Sequence, residues 1–154
     1  MQQQIINKIN EGIELLKPQV HSIPEAHWLY RRAAGKWSKK EELGHLVDSA
    51  LNNLKRFSEI SAGEVMHTIS SYPQDGLVIA NDYQEMNIDQ LVQLWELLNL
   101  QICRVIERMP ENLLGNKILL PDGTGQTVHW LLEDYAVHLH HHLKVITEMP
   151  VEAE

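Results

Sequence analysis

Four stretches of this chain repeat apolar residues at steps of three and four, and that period restricts the fold to packed helices. In the first, Ile5, Ile6, Ile9, Ile13, Leu16 and Val20 predict a helix over roughly residues 2–18. The second opens at Ser38, which with Glu41 has the spacing of a capping box. Its stripe is Leu43, Leu46, Val47, Ala50, Leu51, Leu54 and Phe57, and Gly63 ends it. The third follows Asn87, a residue suited to a cap, and carries Leu91, Leu94, Trp95, Leu98, Ile102, Val105, Ile106 and Met109 up to Pro110. The fourth begins after Thr127 and runs to about Glu148, before Pro150.

Between them lie two long connections. One holds Pro18, Pro24, Trp28 and Tyr30; the other, residues 64–85, has Pro73, Gly76 and no clear period. Loops of that length are uncommon in compact domains and often line a site. Residues 117–126 read as a short strand-like segment with a turn at Pro121, Asp122 and Gly123. Four amphipathic helices joined this way predict an all-α four-helix bundle, with residues 1–154 as a single domain.

The formal charge is -8 with histidines neutral, which opposes binding to a phosphate backbone. Arg31, Arg32, Lys36, Lys39 and Lys40 form a local basic cluster, but Glu41 and Glu42 dilute it, as in a solvated loop. No apolar run reaches the roughly 20 residues of a membrane span. The amino terminus lacks the pattern of a signal peptide, and the lone Cys103 offers no internal disulfide, so a cytoplasmic setting is expected. Cys103, between Ile102 and Val105, reads as a buried hydrophobe rather than a nucleophile.

Four of the nine histidines crowd into residues 137–143 of the last helix. On a wheel of about 100° per residue, Leu131, Leu132, Tyr135, Leu139, Leu143 and Ile146 mark the buried side. His138 and His142 lie beside it, near Leu131, Val145 and Met149. They are spaced i, i+4, which stacks two imidazoles on one face in the manner of zinc-chelating helices. His140 points outward to solvent, and His141 falls on the far flank with Trp130 and Asp134. Two imidazoles are too few for a catalytic zinc site, so a third ligand has to come from another helix. His45 is the best candidate. It belongs to a polar stripe of Glu41, Asp48, Ser49, Asn52 and Arg56, which is either a solvent-facing surface or the border of a polar cavity. Spacing alone does not choose between these. His21, His27, His67 and His129 have no partner at ligand spacing.

Three segments together carry a family likeness: Gly35-Lys36-Trp37-Ser38, then residues 41–49 with His45 followed three positions later by Asp48, and finally residues 138–142. In order and spacing they resemble the DinB-like superfamily over nearly the whole chain. The resemblance implies an up-down-down-up bundle and a nickel, zinc or similar divalent ion held by three histidines. His45 matches the histidine of the second helix, and His138 and His142 match the spaced pair of the last. Some members use a pair one turn later. That register would fall here on His141 and Val145, and valine cannot coordinate.

The family includes thiol S-transferases, so the resemblance implies a metal-dependent transferase joining a small-molecule thiol to a small electrophile. The loop over residues 64–85 would then shape the electrophile pocket. A metal-dependent hydrolase, or a non-catalytic metal- or ligand-binding stress-response module, are the alternatives. Asp48 could orient an imidazole, or be a surface carboxylate; Asn52, Arg56 and His141 could border the substrate, or be solvated. A homodimer is expected, as for many small bundles.

Overall fold

The computed structural model describes residues 1–63 and 68–148. Glu64 to His67 of the long loop, together with Met149 and Pro150 beyond the last helix, lie outside the described residues. The helices are α1 (Gln2–Leu16), α2 (Glu25–Leu29), α3 (Lys39–Ser61), α4 (Gln74–Ala80), α5 (Ile88–Arg108) and α6 (Val128–Glu148). Strands β1 (Lys117–Leu119) and β2 (Gly125–Thr127) form one antiparallel hairpin.

Local chemistry explains most boundaries. α1 stops at Leu16, and a 3-10 turn over Lys17–Ser22 carries the chain on, with Pro18 in its first turn where a missing N–H costs little. The Ser38 hydroxyl accepts from the Glu41 amide at 3.1 Å, and the Glu41 carboxylate accepts from the Ser38 amide at 2.9 Å, closing the capping box. Beyond α3, Gly63 takes φ +91°, a left-handed conformation that a side chain would resist. Asn87 accepts from the Gln90 amide and Thr127 from the Trp130 amide, so α5 and α6 begin on side-chain caps.

The four long helices are α1, α3, α5 and α6. Around the bundle, α1 touches α5 and α6, and α3 touches the same two. Gln2 at the start of α1 donates to the carbonyls of Ile106 and Met109 at the end of α5, while Lys17 reaches Glu96, so α1 and α5 are antiparallel. Glu42 meets His142 and Ser49 meets His138, so α3 and α6 are antiparallel too. Lys8 meets His140 and Gly12 packs on Leu139 and Leu143, so α1 and α6 run together. The order is therefore up-down-down-up. Parallel neighbours α3 and α5 require the long crossover between them.

Two expectations change here. Residues 64–85 are not wholly irregular: they contain α4, a 3-10 turn at Tyr83–Glu85 and a bridge from Thr68 to Leu119. A seven-residue helix is too short to show a period, and packing of the buried Val78 holds it. Leu51 and Leu94, assigned to apolar stripes, are exposed, while Asn99 is buried and accepts from the Tyr135 hydroxyl at 2.6 Å. No helix among the described residues is long and apolar enough to cross a membrane.

Candidate metal centre

α3 and α6 cross so that three imidazoles face one point. His45 Nε2 lies 3.2 Å from His138 Nε2, and His142 Nε2 lies 3.1 Å from the same atom. Each histidine offers a nitrogen within 4.8 Å of the others, and His45 is only 1 % exposed. An ion bound at about 2.0–2.1 Å would set its nitrogens about 2.9–3.4 Å apart, depending on coordination angle. The observed spacings fall within that interval.

The donor set itself favours a cation. A neutral imidazole carries one N–H, so a single proton on His138 Nε2 can be directed well at one neighbour only. Protonating the rings would fill the other contact, yet burial opposes it. Burial, then the nearby His142 and His138, lowers His45 to about 3. Burial, then His142 and His141, lowers His138 to about 4. Both are neutral near pH 7 and present lone pairs, as metal ligation requires.

These shifts carry a pH prediction for the metal-free protein. Both folded values lie below the ordinary 6.5, so between them the unfolded chain binds more protons. Stability contributed by these groups is complete above about pH 6.5 and falls as pH drops toward 4. Urea midpoints measured at pH 7.5 and 5.0 should decrease in that order. Equal midpoints would contradict the burial of neutral rings.

Around the triad, Trp37 stacks on His45 with centroids 4.8 Å apart. Ser49 Oγ lies 3.5 Å from His138 Nδ1. Glu42, taken from sequence as part of a solvated loop, instead accepts from His142 Nδ1 at 2.7 Å, with both side chains 15 % exposed. Its signal was present only as an acid three residues before His45 on the same helical face. Glu41 forms a two-point ion pair with Arg31.

The stripe on α3 is not a solvent-facing surface. Glu41, His45, Asp48 and Ser49 are all buried, because α6 covers one flank and residues 81–83 the other. Asp48 is therefore no surface carboxylate. Its Oδ1 accepts from the Tyr83 hydroxyl at 2.6 Å and from Asn81 at 3.3 Å, and burial raises its pKa against the opposing pull of Tyr83. Its Oδ2 and His45 Nδ1 are buried without a hydrogen-bond partner among the described residues, so Asp48 does not bond directly to His45. Asn52 donates to the Asp48 carbonyl, within its own helix. Arg56 lies over the Tyr72 ring and bonds to Asn53 and the Ser70 carbonyl.

Among the other histidines, His140 is half-buried rather than solvated. Its Nε2 lies 2.6 Å from the Lys8 carbonyl, since α1 packs across that flank of α6. His141 is exposed, and its ring meets the edge of His142. His129 pairs with Glu133 at 3.9 Å and His21 with Asp89 at 3.0 Å. Cys103 is buried, and burial raises its thiol to about 11, which suits a core hydrophobe.

The sequence pattern of the DinB superfamily matches residues 10–146. No curated protein matches the sequence. Among solved structures, YfiT from Bacillus subtilis superposes with a TM-score of 0.83 at 22% identity, covering 96% of this chain and 84% of that one. It is described as "a probable metal-dependent hydrolase with an unusual four-helix bundle topology". A mycothiol-dependent maleylpyruvate isomerase superposes with a TM-score of 0.74 at 13% identity, covering 96% of this chain and 61% of the isomerase. A histidine-to-alanine variant of the same isomerase gives 0.76 at 12% identity, with 98% and 62% covered. At these identities the likeness establishes a shared fold, and the chain spans about three fifths of the isomerase.

Proposed function

The chain belongs to the DinB superfamily, and from that membership and its three converging imidazoles we propose a single-domain, divalent-metal-dependent thiol S-transferase acting on small electrophiles. The carrying observation is the convergence of the Nε2 atoms of His45, His138 and His142 on one point. A bound zinc, nickel or similar ion would lower the pKa of a thiol or water to near neutrality. Three protein ligands leave a position open for that molecule.

The rest of the chemistry belongs to side chains. The α3–α6 pair fixes ligand geometry, and Trp37 covers one face of His45. Next to Trp37 is a cavity of about 480 Å³, lined in part by Ala34, Lys36, Val78 and Ile79. Its size and apolar walls suit the body of a small electrophile, and α4 from the long connection supplies Val78 and Ile79. In the reaction, the thiolate sulfur forms a bond to carbon, the leaving group departs with its electron pair, and the thiol proton passes to solvent. The thiol reading is supported by two solved relatives described as a mycothiol-dependent isomerase.

Hydrolysis is the second reading, because YfiT is described as a metal-dependent hydrolase. The test loads the protein with zinc, nickel or manganese and offers cysteine, glutathione or a longer thiol with a chloro-aromatic electrophile. Metal- and thiol-dependent release of chloride supports the transferase. Release of product without thiol favours hydrolysis, and metal binding without turnover favours a binding module. We further propose a cytoplasmic homodimer, whose contact would use exposed Leu94, Leu97 and Leu100 on α5.

A further inference from the structure

The three ligand rings are not held alike. His45 Nδ1 has no hydrogen-bond partner among the described residues, and His138 Nδ1 has only Ser49 Oγ at 3.5 Å. His142 Nδ1 alone meets a carboxylate, Glu42 Oε2 at 2.7 Å. A carboxylate accepts and cannot donate, so this contact requires the imidazole proton on Nδ1. In a neutral ring the lone pair then sits on Nε2, the atom that faces His138 across 3.1 Å.

We infer that Glu42 is a positioning residue that fixes His142 in its Nδ1–H tautomer and presents the Nε2 lone pair to a divalent cation. The inference rests on the metal-site reading above and adds to it a carboxylate to which the sequence assigns no role at the site. The placement follows from the helix. Glu42 and His45 are three residues apart on α3, so one face supplies a ligand and also grips a ligand of α6. Glu41, its neighbour, is occupied by Arg31, whereas Glu42 meets the His142 ring. At 15 % exposure on both sides, water competes weakly for the contact. Outer carboxylates of this kind fix ring orientation and raise ligand basicity, and their loss typically lowers metal affinity about 10–100-fold.

Two measurements test this on the full chain. Nitrogen-15 NMR of the metal-free protein at pH 7.5 reads the tautomer of His142, and competition with a chelator reads zinc affinity. The wild type should hold His142 as Nδ1–H. Glu42→Leu should release it to a mixture containing Nε2–H and lower zinc affinity about 10–100-fold. Glu42→Gln keeps an oxygen acceptor without the charge, so it should retain the tautomer and lose less affinity. A residue that merely braces α3 against α6 would change the urea midpoint and leave both readings unmoved. A wild-type His142 in the Nε2–H form, or zinc affinity unchanged in Glu42→Leu, overturns the inference, as does a wild type that takes up no zinc. A protein that binds zinc as described yet transfers no thiol refutes the transferase alone, and Glu42 keeps its role.

Discussion

Replacing His142 by alanine is expected to lower zinc or nickel affinity more than about 100-fold, beyond the 10–100-fold typical of losing an outer partner. The change removes one of three converging nitrogens and leaves Glu42 as a carboxylate without its ring. His140→Ala should leave affinity nearly unchanged. Its ring lies over α1, on the Lys8 carbonyl, and it should cost only part of a hydrogen bond, about 0.5–1.5 kcal/mol. His141→Ala should also retain the metal, because that ring is exposed and is not one of the three that converge. Chelator competition on the three purified variants, with thermal unfolding as a check on folding, reads the comparison. Equal affinity in His142→Ala and His140→Ala would show that the register His138 and His142 is mistaken. Loss in His141→Ala alone would favour the register one turn later.

Gly44→Ala should destabilise the fold by about 1–3 kcal/mol, the range for overpacking a filled interior. A Cβ there would stand 2.1 Å from Tyr83 Cδ2 and 2.7 Å from Tyr83 Cβ, too close for a ring rotation to relieve. Tyr83 is buried and held from below by its bond to Asp48, so the segment around residues 81–83 must lift away from α3. Asp48 then loses its strongest donor while still buried. The melting temperature should fall by roughly 2–12 °C, given about 2–4 °C per kcal/mol for a chain of this size. Combining Gly44→Ala with Tyr83→Ala should recover part of the clash, since the obstructing ring is gone. Wild-type stability in Gly44→Ala would show that Tyr83 does not lie against α3.

What the sequence shows best is what neighbouring residues decide. The apolar steps of α1, α3, α5 and α6, the capping box at Ser38 and the i, i+4 pair His138 and His142 all depend on positions within one or two turns. They reappear in the structure at those places. The side on which His45 lies is not decided by periodicity, because a wheel for α3 cannot say whether α6 will cover the polar stripe. Family resemblance, not periodicity, pointed to the buried side. The role of Glu42 is hidden for the same reason: its partner is 100 residues away, and an acid in a charged segment resembles a solvated one. The contact of His140 with the Lys8 carbonyl is invisible to a wheel of α6, which does not include α1. The close approach of Tyr83 at Gly44 was equally hidden, since a glycine inside a helix announces flexibility before it announces contact.

The most direct measurement is the metal content of protein purified without an affinity tag, then exposed to zinc, nickel or manganese and freed of excess ion. Close to one divalent ion per chain and a higher unfolding temperature on loading are expected, since an ion bound only by the folded state stabilises it. The same ion should be lost from a variant with His45, His138 and His142 all replaced by alanine. Metal-free protein that takes up no ion, or uptake that survives the triple replacement, would contradict the claim that these three histidines form the site.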